Sequence, residues 1–252
     1  MNEDQLLLAQ IKDKINSSMQ QYTSEHTGFL DLHQQHLVQD LLRTEPKEEI
    51  LFQLHGGYQD AQRQMFICRP SFIPCNIEEY IVLLRVIGGK GAKKLTHRDY
   101  LGALVGTGIE RREVGDILVH EEGADILVTA SISPFLQQEL LSVGAVSIDR
   151  EILPLDRLRI PKQQVKTMNI TVSSPRIDSL VAAIFGISRA VSQEAVRAGR
   201  VFIDSREVTK AEQILTQNQI VVLRGKGKAK IISISEKPTK KGRIPITVEK
   251  YM

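Results

Sequence analysis

The sequence predicts an α+β protein with three parts, namely an α-rich N-terminal domain, a ferredoxin-like middle domain and a small basic C-terminal domain. Two observations predict this class. Apolar residues recur at helical spacing near both ends of the chain, whereas the middle alternates strand-like and helix-like segments in the order β-α-β-β-α-β. The chain has 252 residues, 42% of them hydrophobic, which is enough for two or three small domains with cores of their own.

The first predicted domain, residues 1–75, is α-rich. Residues 2–22 fit an amphipathic helix whose apolar stripe consists of Leu6, Leu7, Ile11, Ile15 and Met19. A second helix is expected over residues 29–42, with Asp31 as a candidate N-cap. Pro46 suits the first turn of another short element that runs to about Leu54, and residues 65–68 fit a short strand.

The second predicted domain, residues 76–160, resembles an RNA-recognition motif in its element order. Residues 81–87 are almost continuously apolar, as in a central buried strand. A helix should begin near Thr96, with Asp99 completing a capping box, and another near Ser133 as N-cap with Pro134 behind it. Strands are expected over residues 116–119, 125–129 and 146–152. The two central strands carry no aromatic residue, so we expect no base stacking there and predict that this face contacts a protein or packs on a neighbouring domain.

A connector is expected over residues 161–174, with a strand within it over residues 168–172, and the third domain occupies residues 175–252. Its first helix has a complete core stripe, formed by Ile177, Leu180, Val181, Ile184 and Phe185. Gly186 should end that helix, Ser188 should cap the next one, and Gly199 has the position of a C′ glycine. Strands are expected over residues 201–203 and 220–223.

The charge is distributed unevenly along the chain. Residues 170–252 contain 15 Lys and Arg against 7 Asp and Glu, whereas residues 1–169 contain 18 against 23. A basic end on an acidic body indicates a polyanionic partner, although a solvated charged surface would give the same totals. The choice between the two depends on where the basic residues lie.

The predicted helix from Arg189 to Ala198 has a basic face. A helical projection places Val191, Ala195 and Ala198 inward and Arg189, Gln193 and Arg197 outward. The planar fork of arginine suits phosphate, because it donates two parallel hydrogen bonds. Further along, lysine or arginine recurs at every second position from 224 to 230, and an extended chain would point all four side chains the same way. The candidate contacts to RNA are Arg176, Ser188, Arg189, Gln193, Arg197, Arg200, Lys226 and Lys228.

Three groups of residues carry a family resemblance. Arg176-Ile177-Asp178, Ser188-Arg189 and the run from Gly199 to Ser205 resemble the alpha-L RNA-binding motif, also called the S4 domain. Residues 93–119, Gly56-Gly57-Tyr58 with Ala61 and Arg63, and Lys240 to Arg243 are similar to YlmH-like proteins. This resemblance implies a non-enzymatic binder of structured rRNA or tRNA. It further implies action on the large ribosomal subunit carrying peptidyl-tRNA, in the rescue of stalled ribosomes with alanine tailing of the nascent chain.

The sequence gives little support for a redox, metal-binding or nucleotide-binding site. Cys68 and Cys75 have neither the CxxC spacing of a redox pair nor a four-ligand zinc pattern, so we expect free thiols in a reducing cytosol. His33 and His36 share a helical face without further ligands. The glycine-rich run at residues 88–94 lacks the spacing of a phosphate-binding loop. We therefore expect no cofactor and no metal.

No apolar run reaches about 18 residues and no secretory signal is evident, so we expect a cytoplasmic monomer without a membrane partner. Two alternatives remain open. One is an RNA-modifying enzyme of the pseudouridine-synthase type with an accessory S4 domain, for which Asp149 and Asp156 are the upstream carboxylate candidates. The other is a protein-interaction factor that docks a partner through its middle domain.

Overall fold

The computed structural model describes residues 2–44, 49–88, 95–161, 165–204 and 206–251. The chain is an α+β protein that divides into two compact units, Met1–Pro161 and Lys162–Met252. The first unit therefore contains both the predicted N-terminal and the predicted middle domain. The predicted three-domain division stays a prediction.

The N-terminal part of the first unit packs two helices on a three-stranded antiparallel sheet of order β1-β3-β2. Its helices both begin with a reciprocal capping box, formed by Asn2 with Gln5 and by Asp31 with Gln34. The elements are α1 (Glu3–Gln21), β1 (Glu25–Leu30), α2 (Leu32–Leu42), β2 (Ile50–His55) and β3 (Gln64–Pro70).

Two sequence predictions in this part are wrong. The second helix begins after Asp31, and Phe29 belongs instead to strand β1, where it is 1% exposed. Residues 50–55, expected to continue a short element from Pro46, form strand β2, and Pro46 itself lies outside the described residues. In both places pairing with β3 decides the conformation, because β1 and β2 flank it on either side. Such long-range pairing overrides local propensity.

The rest of the first unit is a second antiparallel sheet of order β5-β6-β4-β8-β7. The elements are β4 (Ile81–Gly88), α3 (His97–Gly106), β5 (Val114–Val119), β6 (Gly123–Thr129), α4 (Ser133–Glu139), β7 (Ser142–Val143) and β8 (Val146–Leu153). The predicted order of strands and helices is confirmed, with the two-residue β7 added. The capping box of Thr96 and Asp99 is also confirmed. Ser133, by contrast, is the first helical residue and not the N-cap, because its hydroxyl donates back to the carbonyl of Ala130 at 2.9 Å.

One face of this second sheet carries α3 and α4, and the other is covered as well. Residues Leu84, Val86, Ile126 and Val128 pack under the helices. The alternate residues Ile81, Leu83 and Leu127 pack against the N-terminal sheet, in one buried cluster with Phe29, Met65 and Ile67. All seven residues of β6 are buried as a result. The expectation that this face packs on a neighbouring part of the chain is thus confirmed.

Beyond those apolar residues, a buried ion cluster closes the same face. Asp125 on β6 is 0% exposed and receives two hydrogen bonds from the Arg85 guanidinium at 2.8 and 2.9 Å. Arg159 adds its backbone N–H at 2.9 Å and its Nη2 at 2.8 Å. These bonds hold the pKa of Asp125 well below its usual range, although burial alone would raise it. The cluster ties the end of the first unit to its central strands.

The Gly56-Gly57-Tyr58 motif has a structural role in this unit. A Cβ at Gly56 would lie 2.3 Å from the carbonyl oxygen of Arg63 and 2.4 Å from the Ala61 Cβ, so only glycine fits. The Tyr58 hydroxyl donates to Asp116 Oδ2 at 2.8 Å, and the Arg63 backbone N–H donates to Oδ1 at 3.0 Å. The motif therefore fastens the loop before β3 to strand β5.

The second unit is a six-stranded antiparallel sheet of order β11-β10-β12-β13-β14-β9, with two helices on one face. The elements are β9 (Val165–Val172), α5 (Ile177–Phe185), α6 (Arg189–Arg197), β10 (Val201–Ile203), β11 (Arg206–Glu207), β12 (Ile220–Leu223), β13 (Gly227–Ile234) and β14 (Ile244–Tyr251). The predicted strand inside the connector is longer than expected and belongs to this sheet, where β9 pairs with β14 over eight residues. The strand expected over residues 168–172 is therefore confirmed and begins three residues earlier, at Val165.

Candidate nucleic-acid interface

Helices α5 and α6 form a compact pair whose ends are fixed by three local devices. The first amides of α5 bond to the 211–213 segment, where Ile177 and Asp178 donate to the carbonyls of Gln213 and Ala211. Gly186 ends α5 in the left-handed conformation, at φ 64°. Ser188 then caps α6 by accepting from the Val191 amide at 3.2 Å. The predicted caps are confirmed, and the short turn lets α6 pack beside α5, so that side chains of α6 reach Asp178 in the first turn of α5.

This turn assembles a cluster around one buried carboxylate. Asp178 is 0% exposed, and its Oδ2 accepts from Arg189 Nε and from Gln193 Nε2, both at 2.9 Å. Arg176 adds a longer contact from its Nε to Oδ1 at 3.3 Å. The two guanidinium-bearing side chains stay 35% and 50% exposed. Three of the predicted contact residues are therefore held in fixed positions at the surface by a residue that we did not predict as part of the site.

The ionisation of Asp178 fits this role. Burial alone would raise its pKa, but hydrogen bonds from Gln193, Arg189 and Arg176 outweigh burial and lower the pKa from 3.8 to about 2. The carboxylate is therefore charged at neutral pH. With two guanidinium groups around one carboxylate, the cluster retains a net positive charge, which favours an anionic ligand.

The buried face of α6 differs from the helical projection. Ser192, Ala195 and Val196 are buried, whereas Val191 is 49% exposed and Ala198 is exposed too. The prediction was right for Ala195 and wrong for Val191 and Ala198. Because Arg189 and Gln193 must reach Asp178, the helix rolls toward that carboxylate and buries the small Ser192 instead of the larger Val191.

The end of α6 brings further cations together. The Arg197 side chain is 76% exposed and lies 3.8 Å from Glu194. The Arg200 carbonyl accepts from the Arg224 amide at 2.9 Å, which joins the end of α6 to the turn between β12 and β13. Lys226 lies in that turn and is exposed. Arg197, Arg200 and Lys226 therefore continue the cationic surface that begins at the Asp178 cluster.

The predicted row of four cations does not form. Residues 224–226 are a turn, with Gly225 at φ 82° and Gly227 at φ 111°. Lys228 and Lys230 lie on β13 and alternate with the core residue Ala229. Lys228 therefore points to the sheet face opposite α5 and α6, and the predicted single surface is wrong for this residue. Tight backbone reversal at the two glycines is the physical reason.

A groove adjoins Arg189 on the other side of α5. Its volume is about 320 Å³, and its far wall includes Arg243, whose Nη2 donates to the Thr171 carbonyl at 2.7 Å. The lining residues are Thr171, Val172, Ser173, Ser179, Ala182, Ala183, Ile187, Arg189 and Arg243. Two arginines and the hydroxyls of Thr171 and Ser173 could donate hydrogen bonds to one phosphate there, whereas the Ser179 hydroxyl donates to Asp178. Arg243 was quoted in the sequence only as part of the family resemblance.

The residues considered for other chemistry lie in unsuitable places. Among the described residues, no group of three or more His, Cys, Asp or Glu could hold a metal ion. Cys68 and Cys75 are free thiols, and burial raises the pKa of the Cys68 thiol to about 11, which disfavours the reactive thiolate. Asp149 and Asp156 are both exposed, unlike the desolvated carboxylate of a typical catalytic site. Most of the glycine-rich run, residues 89–94, is outside the described residues.

The described part of the chain also contains no helix that is long and apolar enough to cross a membrane. Helices α5 and α6, which carry the candidate interface, are each nine residues long.

Comparison with known proteins identifies similar chains, and the family profile that matches covers the middle of the chain and not α5 and α6. The profile of the family described as "Putative RNA-binding domain in YlmH" matches residues 76–157. Over 234 residues the chain is 30% identical to "Ribosome-associated protein quality control protein P2" of Bacillus subtilis (strain 168), an alignment that covers 92% of this chain and 89% of that protein. The solved structure "Cell division protein ylmH from Streptococcus pneumoniae" shares the fold, with a TM-score of 0.53 and 24% identity over 64% of this chain and 96% of that chain.

The α+β fold and the family profile over residues 76–157 place the chain in an RNA-binding class of protein. Within that class, the chain belongs to the YlmH family, because its similarity to the Bacillus subtilis relative extends over most of both chains.

Proposed function

We propose that the chain binds structured RNA, rRNA or tRNA, without catalysing a reaction, and that the face formed by α5 and α6 makes the contact. The observation that carries this proposal is the Asp178 cluster, in which one buried carboxylate orients Arg176, Arg189 and Gln193 at the surface. Arg189 uses only its Nε for Asp178, so its two Nη groups remain as donors to a phosphate. Oriented guanidinium groups lose less side-chain entropy on binding than mobile ones do.

The architecture of the chain supports a C-terminal rather than a central RNA site. In an RNA-recognition motif the open sheet face stacks bases through aromatic residues. The corresponding face here is buried under the N-terminal sheet and the Asp125 cluster. The matching family profile describes residues 76–157 as a putative RNA-binding domain, but this covered face leads us to propose a mainly structural role for the ferredoxin-like domain at residues 76–160. We propose instead that residues 175–252, extended by β9, form an S4-like RNA-binding domain.

The cellular role that we propose is the rescue or quality control of stalled ribosomes in the cytoplasm, on the large ribosomal subunit. The name of the Bacillus subtilis relative, which refers to ribosome association and to protein quality control, supports this role. A chain whose cations concentrate in its last third suits the polyanionic surface of a ribosome. The predicted monomeric state stays a prediction.

The test is co-sedimentation of the full chain with ribosomes at low and high salt. The informative variant is Arg189→Gln together with Arg197→Glu, because Gln can still bond to Asp178, whereas Glu at position 189 would repel it. Loss of two charged contacts should weaken binding at least about tenfold. Digesting the ribosomal RNA before sedimentation separates RNA binding from docking on a ribosomal protein.

The matched control is Arg43→Glu together with Arg112→Gln in the first unit. Like Arg197, Arg43 is an exposed arginine paired with an acidic residue three positions earlier. Like Arg189, Arg112 is about half exposed and bonds to a carboxylate at 2.9 Å. The control changes the net charge by the same amount but alters no residue of α5 or α6. It should therefore leave ribosome binding within about twofold of the wild-type value. Equal binding by both variants would refute the α5–α6 interface, and altered RNA modification in a deletion strain, mapped by mass spectrometry, would refute a non-catalytic role.

A further inference from the structure

The sheet of the second unit has a second face, which we call the outer face. The side chains of Val201, Ile203, Val221, Leu223 and Ala229 point into the core under α5 and α6. Alternate residues therefore point the other way. Cross-strand pairing aligns Phe202 with Val222 and Val222 with Lys228. Tyr251 on β14 extends this row, since its neighbour Lys250 pairs with Ala229.

Two aromatic rings in this row each carry a cation. The guanidinium carbon of Arg224 lies 4.5 Å from the centre of the Phe202 ring. The Lys228 ammonium lies 4.5 Å from the centre of the Tyr251 ring. Both rings are half-buried, and so is Val222, which lies between them. The outer face thus combines flat apolar surfaces with positive charge, a combination that the central sheet of the first unit lacks.

We propose that the outer face binds unpaired RNA bases, as a site separate from the α5–α6 interface. Phe202 and Tyr251 lie on strands three positions apart, which places them about 14 Å from each other at ~4.8 Å per strand. That span suits a single strand of a few nucleotides laid across the sheet, with a base on each aromatic platform. A base can stack on an aromatic ring or on the guanidinium plane above it.

Charge favours RNA over a protein partner. Arg224, Lys228 and Lys230 border this face, against the carboxylates of Glu207 and Glu249. The cations outnumber the carboxylates near the turn between β12 and β13. The phosphates of a bound RNA strand would be attracted to this edge of the outer face. A duplex would fit poorly, because its bases are already stacked inside it, whereas unpaired bases are free to stack on aromatic rings.

The experiment measures binding of the full chain to a labelled eight-nucleotide uridine RNA and to an abasic RNA of the same length. Both RNAs carry the same phosphates, so their difference in affinity isolates the bases. The wild-type chain should prefer the uridine RNA by about 25-fold or more, since each of two stacked bases contributes roughly fivefold or more. Phe202→Leu with Tyr251→Leu should abolish that preference while leaving the abasic RNA within about twofold.

Two further variants keep the result decisive. Arg224→Gln removes the cation over Phe202 from an exposed position, so it should weaken uridine binding even where the double leucine variant fails to fold. Phe72→Leu removes a ring that is 70% exposed in the first unit and should change nothing. Circular dichroism and thermal unfolding check the fold of each variant.

The proposal is wrong if the wild-type chain binds both RNAs equally or if none of the outer-face variants reduces the preference; the face would then be free for a protein partner. The outcome is independent of the proposed α5–α6 interface. Arg189→Gln with Arg197→Glu should preserve the preference for uridine over abasic RNA. If Arg189→Gln with Arg197→Glu keeps the preference for uridine RNA and also binds ribosomes normally, the proposed α5–α6 interface is wrong. The proposal for the outer face then still holds.

Discussion

At the scale of single residues, Asp178 decides the geometry of the candidate interface. In the sequence it appears only as part of the Arg176-Ile177-Asp178 group that carries the S4 resemblance, without a role of its own. The structure shows that it is fully buried, between α5 and α6, with Arg189 and Gln193 eleven and fifteen residues further along the chain. Side chains so distant in sequence meet only because of the turn at Gly186. No local pattern reveals such a contact, so its discovery needed the fold.

The first prediction concerns the stability that Asp178 contributes. Its pKa is about 2 in the folded chain against an ordinary value of 3.8, so folding favours the ionised form. That contribution is complete above the unfolded pKa and is lost as the pH falls through the folded pKa. We expect Asp178→Asn to lower the free energy of unfolding by about 2 kcal/mol at pH 7, and by much less at pH 2.

Urea unfolding at a series of pH values measures this effect. The difference between wild type and Asp178→Asn should shrink between about pH 4 and pH 2, because the variant lacks the titrating group. The contribution of Asp125 cancels in that difference, since both proteins contain it. Asp156→Asn is the control, because that side chain is 77% exposed and its ion pair with Arg157 is 3.9 Å long. A pH-independent difference would mean that Asp178 acts through packing rather than charge.

At the scale of elements, helix α6 shows which features of a helix a helical projection can predict. Its start, its end and its two caps follow from Ser188 and Gly199, which the sequence displays. The rotation of α6 about its axis does not follow from the sequence, because the buried side of the helix includes Ser192, a small polar residue. A hydrophobic pattern cannot rank Ser192 above Val191. The same limit applies to β9 and β1, whose conformation comes from pairing with strands far away in the sequence.

The second prediction tests the turn between α5 and α6. Gly186 has φ 64°, a conformation that costs an L side chain roughly 1–2 kcal/mol, and no atom lies within 4 Å of a Cβ placed there. Gly186→Ala should therefore destabilise the chain by about 1 kcal/mol through the backbone alone. Thermal or urea unfolding gives the value.

A second glycine provides the matched comparison. Gly102 lies inside helix α3, is exposed and likewise has open space around the position that a Cβ would occupy, but its backbone is helical. Gly102→Ala should stabilise the chain by up to about 1 kcal/mol, since alanine favours a helix interior. Opposite signs for the two substitutions would confirm that the Gly186 position requires the left-handed conformation. The same sign for both would contradict the assigned helix end.

At the scale of the whole molecule, the two units have different surfaces. The first unit is acidic in sequence and buries the central strands of its larger sheet on both sides. The second unit is basic and leaves α5, α6 and the outer sheet face without any such cover from its own described elements. The sequence predicted this division from charge and from the missing aromatic residues. It left open whether a protein partner or a neighbouring domain covers the middle sheet, because the observed packing on the N-terminal sheet joins residues as distant as Phe29 and Leu127.

The third prediction follows from the number of phosphate contacts. The structure leaves five predicted cations on the α5–α6 side, namely Arg176, Arg189, Arg197, Arg200 and Lys226. Each neutralised phosphate contributes about −0.9 to the slope of log affinity against log salt, so five contacts give roughly −4.5. Affinity for a structured RNA should then fall by roughly 500-fold between 50 and 200 mM salt.

The variant Arg189→Gln with Arg197→Glu makes this prediction specific to the interface. Loss of two contacts should reduce the slope to roughly −2.7, and the same change in salt should then cost only roughly 40-fold in affinity. Arg43→Glu with Arg112→Gln carries the same net charge as that variant, so a slope set by net charge alone would shift equally in both. Only discrete contacts on α6 can change one slope and leave the other at the wild-type value. Equal slopes for the two variants would therefore mean that the cations act as a diffuse field and that α6 does not touch the RNA.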